Sequence, residues 1–152
     1  MYSYEIERVV DSPAKVVWEV ISNLDEYHQY APNLSRSEVL SGEGVGLRRR
    51  CHDTKGRGWD EQCVLWREGE IYSMEVDPEG YPYPFSKMQG TWGLEERSNG
   101  TLIKMRFDYL PKPNLPIIGP LMDKLAVKPA MAKISKELMD NWEAQIVKRA
   151  NV

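Results

Sequence analysis

The chain has 152 residues, 41% hydrophobic and 28% charged, with a formal net charge of −3. That is enough apolar mass for one domain, 1–152, around one core. Acids and bases are interspersed, so no basic field marks nucleic acid as a partner. No run reaches the roughly 20 apolar residues of an integral membrane helix.

The opening MYSYEIERVV has neither the basic nor the apolar region of a signal peptide, so the expected compartment is the cytoplasm. Two cysteines, Cys51 and Cys63, make no disulfide framework and are expected to be reduced. Residues 2–10 alternate Tyr2, Tyr4, Ile6 against Ser3, Glu5, Glu7, the pattern of a half-buried strand. Ser12-Pro13 then reads as an N-cap and first helical residue. Val16, Val17, Val20, Ile21 and Leu24 make an apolar stripe, so a first helix runs to about residue 22. Asn23 or Asp25 is placed to cap a second short helix ending at Ala31-Pro32.

Strand patterns follow at 37–40, 47–52, 59–66, 71–76, 86–96 and 101–110, separated by turn signals such as Gly42-Glu43-Gly44, Glu68-Gly69-Glu70 and Asn99-Gly100. Strands segregated from helices read as α+β with an antiparallel sheet of about seven strands. Loops 78–84 and 111–119 are rich in proline with tyrosine or isoleucine. With Tyr81, Tyr83, Phe85, Ile117 and Ile118 they are candidate rims of a ligand site or contacts for a protein partner; packing the loops down is the alternative role.

The segment 120–149 has the longest helical spacing, and the sheet is expected to curve around it. Met131, Ile134, Leu138 and Trp142 share a sector of roughly 80°. Pro129 would remove a backbone bond there, and Leu121 and Leu125 fall outside the sector. A kink or break is therefore expected near Lys128-Pro129, with a helix of about 20 residues beyond it. Leu121–Val127 becomes a separate turn or short helix, a lid at the mouth of the space between sheet and helix.

This order of elements resembles the START-like, helix-grip superfamily, and within it the polyketide cyclase/dehydrase and lipid-transport group. The carriers are VDSPAKVVWEVISNLDEYHQYAPNL (10–34), the glycine turn Gly42–Gly46, the G-T-W-x-L strand (90–94), the N-G-T hairpin (99–101) and the amphipathic terminal helix. His28 stands where the family often has proline after the tyrosine at 27, and Tyr30 keeps its aromatic. The resemblance implies a sheet gripping the last helix around a hydrophobic cavity. It also implies members that bind lipids, sterols, quinones, hormones or polyketides, a minority of which catalyse cyclisation or dehydration.

Nothing in the sequence points to a metal or cofactor. There are two histidines, His28 and His52, no HxxxH or CxxC, no phosphate-cradling glycine motif and no nucleophile elbow. What the residues offer is an apolar lining with placed polar groups: Trp59, Cys63, Met74, Met88, Trp92, Met105, Phe107, Tyr109, Met122, Leu125 and Met131 around Arg49. The odd-numbered face of the 47–65 hairpin is the more apolar, which turns Arg49 inward and leaves Trp66 on the outer face. A buried arginine needs partners; Glu61, Glu75 and an acidic or enol ligand are the candidates. Cyclase-type relatives use an inward arginine with tyrosines, and Arg49 with Tyr72 or Tyr109 is the nearest equivalent. Binding of a hydrophobic small molecule is the first expectation. An aromatase/cyclase or dehydratase is the second, and a protein-interaction module of the coenzyme-Q-binding or ribosome-association type the third.

Overall fold

Period-two alternation decides most of this molecule. A computed structural model describes residues 1–113 and 119–151. Its strands are β1 Tyr2–Val10, β2 Leu34–Ser41, β3 Arg48–Asp53, β4 Gly58–Arg67, β5 Ile71–Val76, β6 Phe85–Arg97 and β7 Gly100–Pro111. They form one antiparallel sheet in the order β1-β7-β6-β5-β4-β3-β2. The first strand thus pairs with the last, Tyr2 opposite Tyr109 and Val10 opposite Thr101. Strands β2 to β7 follow one another as neighbours, while the stretch 11–33, with two short helical pieces, carries the chain from β1 at one edge to β2 at the other.

Two short helical pieces follow β1, as expected, but their caps differ. Helix α1 spans Ala14–Ile21 with Pro13 itself at the N-cap. The Ser12 hydroxyl is buried and makes no capping bond. The second piece is a single 3₁₀ turn, Tyr27–Gln29. Asp25 is not its cap, because its carboxylate accepts the backbone N–H of Val39 at 2.7 Å and ties the turn to β2.

The sheet's inner face carries the core. Helix α3, Lys128–Ala150, buries Leu138, Met139, Trp142 and Ile146, and packs against α1 and β1. Asn141 donates to the carbonyl of Tyr30, and Arg8 on β1 bonds Asp140 at 2.6 Å. The expected break ahead of it is not a break. The first turn α2, Pro120–Met122, runs through a π turn, Asp123–Val127, into α3 with helical dihedrals throughout. The cause is Pro129, which has no N–H for the carbonyl four residues back; a wider turn just ahead of it keeps the chain helical. Loop positions 114–118, including Ile117 and Ile118, lie outside the described residues.

One register point also departs from simple alternation. A bulge between Cys63 and Leu65 on β4 shifts the pairing with β5. Beyond it Trp66, expected outside, turns inward against Trp18 and Tyr72.

The β6–β7 hairpin depends on Gly100. Its φ is +135°, and an added Cβ would lie 2.1 Å from the carbonyl oxygen of Val10. Gly100→Ala should therefore lower stability by about 2 kcal/mol or more. This is read as a lower denaturant midpoint at unchanged m-value; an unaltered midpoint would show that the turn relaxes freely.

Candidate functional site

The β3–β4 hairpin places Arg49 directly opposite Glu61, both on the inner face. Opposite charges at paired positions attract, and here they do so away from water. Arg49 is 2% exposed, and its Nη2 donates to Glu61 at 2.5 Å. The other Glu61 oxygen accepts Trp59 Nε1–H at 2.8 Å. The guanidinium carbon also lies 4.9 Å from the ring centre of Tyr27, a cation–π contact. Burial alone would lower the pKa of Arg49; the carboxylate of Glu61 outweighs it, the net direction is upward, and the cation persists. Among the described residues, Nε and Nη1 of this guanidinium have no hydrogen-bond partner. Its neighbours Arg48 and Arg50 face outward and pair with Asp60.

This pair sits on the wall of a cavity of about 430 Å³ between sheet and terminal helix. Arg49, Trp59, Glu61, Met74, Met88, Trp92 and Phe107 line the sheet side, and Tyr27 joins them from the 3₁₀ turn. Ala126, Val127, Ala130, Met131, Ile134, Ser135 and Leu138 supply the helix side. Gly90 belongs to the wall because it has no side chain: a Cβ there would fall 2.4 Å from the Trp92 ring. Tyr81, Tyr83, Pro84 and Phe85 form the rim from the 78–84 loop and the start of β6.

The rim is held by Asp53. Its carboxylate accepts the N–H groups of Lys55 and Arg57, the Arg57 side chain and the hydroxyl of Tyr83. Burial pushes its pKa up, but these donors win and hold it at about 2. Burial pushes the phenols of Tyr27, Tyr81 and Tyr83 upward, so all three stay protonated at neutral pH.

Of the expected lining, Arg49, Trp59, Met74, Met88, Trp92, Phe107 and Met131 reach the cavity. Cys63, Met105, Tyr109, Met122 and Leu125 do not, nor does Tyr72. Cys63, Tyr72 and Met105 belong to the filled end of the core, where the Tyr72 hydroxyl donates to the carbonyl of Ile21 in α1. Tyr109 is bound through its hydroxyl to the buried Asp123 of the π turn. Leu125 points to solvent, 65% exposed. Arg49 therefore meets Tyr27 and not the expected tyrosines. Tyr27 stands in the 10–34 segment, where apolar spacing gave no reason to single it out. Ser135 is likewise concealed in an otherwise apolar helix face.

The family model described as polyketide cyclase / dehydrase and lipid transport matches residues 1–147. The chain belongs to this family. A relative from Streptomyces cyaneus, named "Putative polyketide cyclase", is 27% identical over 118 residues, 74% of this chain and 76% of its own. Two solved structures share the fold. TTHA0849 from Thermus thermophilus has a TM-score of 0.75 at 22% identity, covering 98% of this chain and 99% of its own. The di-domain ARO/CYC StfQ of the steffimycin biosynthetic pathway has a TM-score of 0.82 at 16% identity, covering 99% of this chain and 52% of its own. The helix-grip architecture of this family member thus comes with its own internal charge pair.

Two outcomes check the site's electrostatics. Arg49→Met alone should cost about 3 kcal/mol, since it leaves Glu61 buried and unpaired, whereas adding Glu61→Gln should return most of that loss. Equal stability of the single and double variants would show that the pair is not coupled. Asp53 contributes stability that is present above its ordinary pKa of 3.8 and lost as pH falls towards 2. The gap in urea midpoint between wild type and Asp53→Asn should accordingly close over that window; a constant gap would make the contribution non-ionic.

Proposed function

We propose that the protein binds a neutral, largely apolar small molecule bearing a hydrogen-bond acceptor, of the polycyclic ketone or quinone kind. The observation that carries this is the Arg49–Glu61 pair on an apolar wall. The two charges cancel and the lining phenols are protonated, so the chamber has no net charge. An ionised ligand would lose its hydration and find no free counter-charge. A neutral ligand with a carbonyl loses little on entry. Arg49 also carries donors without a hydrogen-bond partner among the described residues, a cost that an acceptor nearby relieves. The volume lies within the usual range for small-molecule sites.

Cyclase or dehydratase chemistry would use the same cavity, and the inward Arg49 favours keeping that reading second. Its weakness is the proton acceptor. Both oxygens of Glu61 are engaged, and the hydroxyls of Tyr72 and Tyr109 are bound elsewhere. Tyr27, kept protonated beside Arg49, can act as the acid but supplies no acceptor. Loss of turnover on a poly-β-ketone in Tyr27→Phe, with binding intact, would establish the catalytic version.

Binding is tested with a matched pair of probes, anthraquinone and anthraquinone-2-carboxylate. Only the neutral one should raise the denaturation midpoint, corresponding to about 2.7 kcal/mol of added stability at 100 times its Kd. Met131→Trp, which narrows the cavity, should reduce the shift in a folded protein. No shift with any neutral tricyclic or tetracyclic ketone, and no ligand retained in native mass spectrometry, would sink the proposal.

A further inference from the structure

The helical wall of the cavity has an outer side with a different character. Leu121 is 69% exposed and Leu125 is 65% exposed, the two most exposed leucines of the described residues. They lie one turn apart, across α2 and the π turn. Lys124 and Lys128 are interleaved with them, and Lys112 and Lys133 lie to either side in sequence. Between Pro120 and Lys133 the sequence has three lysines and one acid, Asp123. That acid is 2% exposed and engaged by Tyr109 and by Lys128 at 3.3 Å. Asp123 and Lys128 offset each other, and the exposed Lys124 and Lys133 leave the outer surface of 120–133 cationic on a chain whose net charge is −3. Asp77 and Glu79, both exposed, belong to the loop on the sheet side of the mouth, so any contact with an anionic surface is made from the helix side.

We propose that this segment docks on the surface of an anionic lipid bilayer, with Leu121 and Leu125 entering the acyl boundary and Lys124 and Lys133 facing the headgroups. Apolar side chains interleaved with lysines on one side of a helix fit such an interface, because each lysine's stem lies along the apolar layer while its ammonium stays among phosphates. Charge complementarity selects this partner. A second copy of an acidic chain would have to present a matching anionic patch around two apolar sockets, whereas an anionic leaflet offers both chemistries everywhere. The next residues round the same turns, Ala126, Val127 and Ala130, line the cavity. Docking would therefore place the ligand chamber one helix away from the membrane. It stands whatever the cavity holds.

The experiment is co-sedimentation of the full chain with phosphatidylcholine vesicles, with and without phosphatidylserine. Binding should require phosphatidylserine and weaken as salt is raised. Lys124→Glu should reduce partitioning by roughly fivefold or more, the contribution of one lysine near an anionic surface. Leu121→Ser with Leu125→Ser should reduce it by at least about tenfold. All three side chains are exposed, so circular dichroism and the denaturation midpoint should stay near wild type, separating lost docking from lost fold. Absence of phosphatidylserine-dependent binding would overturn the proposal, as would unchanged binding by the leucine variant. A solution dimer that the same leucine substitutions dissolve would overturn it too, assigning the leucines to a second copy.

Discussion

The inner face of the sheet is largely apolar, and covering it is the demand the rest of the structure answers. Hydrophobic burial scales with the area removed from water, so each stretch left uncovered costs stability. Helix α1 and the C-terminal half of α3 cover one end, where Tyr72, Met105, Met139, Trp142 and Ile146 pack without exposure. At the other end the terminal helix and the 78–84 loop stand off from the sheet and leave the cavity. A single amphipathic stripe thus has two tasks. Its last residue, Trp142, buries against the core, while Met131 and Ile134 line the chamber and Leu138 borders both.

Charge enters that chamber as a balanced pair. A lone guanidinium at the position of Arg49 would carry a heavy desolvation cost. The partner directly across the ladder removes most of it, because strand pairing brings Glu61 to Arg49 without any long-range adjustment. Buried ion pairs seldom add much net stability over apolar replacements. Their value here is selectivity: a polar anchor in a space with no net charge.

The pinning of the terminal helix has the same economy. Asp123 sits in the π turn, bound to Tyr109 on β7 and to Lys128 on α3. The irregular turn forced by Pro129 is thereby attached to the sheet at the cavity mouth. Its other sides are divided between the chamber and the outer surface. Alternation and helical spacing foretold the strands, the helix and the inward turn of Arg49, because those patterns are local and repeat within a few residues. They could not foretell Trp66, since one inserted residue in the β4 ladder reverses every side chain beyond it. Nor could they separate Met74, which faces the cavity, from Met105, which is solid core, because both lie on the same inner face.

By itself, the sequence determined the α+β architecture, the order of its elements, the inner face of each regular strand and the weak point at Pro129. All of these follow from residue periodicity and from backbone groups that a given side chain can or cannot supply. Only the tertiary structure decided which part of that inner face stays open, that Arg49 is met by Glu61 and Tyr27, and that Leu125 lies outside. Those outcomes depend on where two helices end over a curved sheet. That is a matter of lengths and contacts between segments far apart in the chain, and no local pattern encodes it.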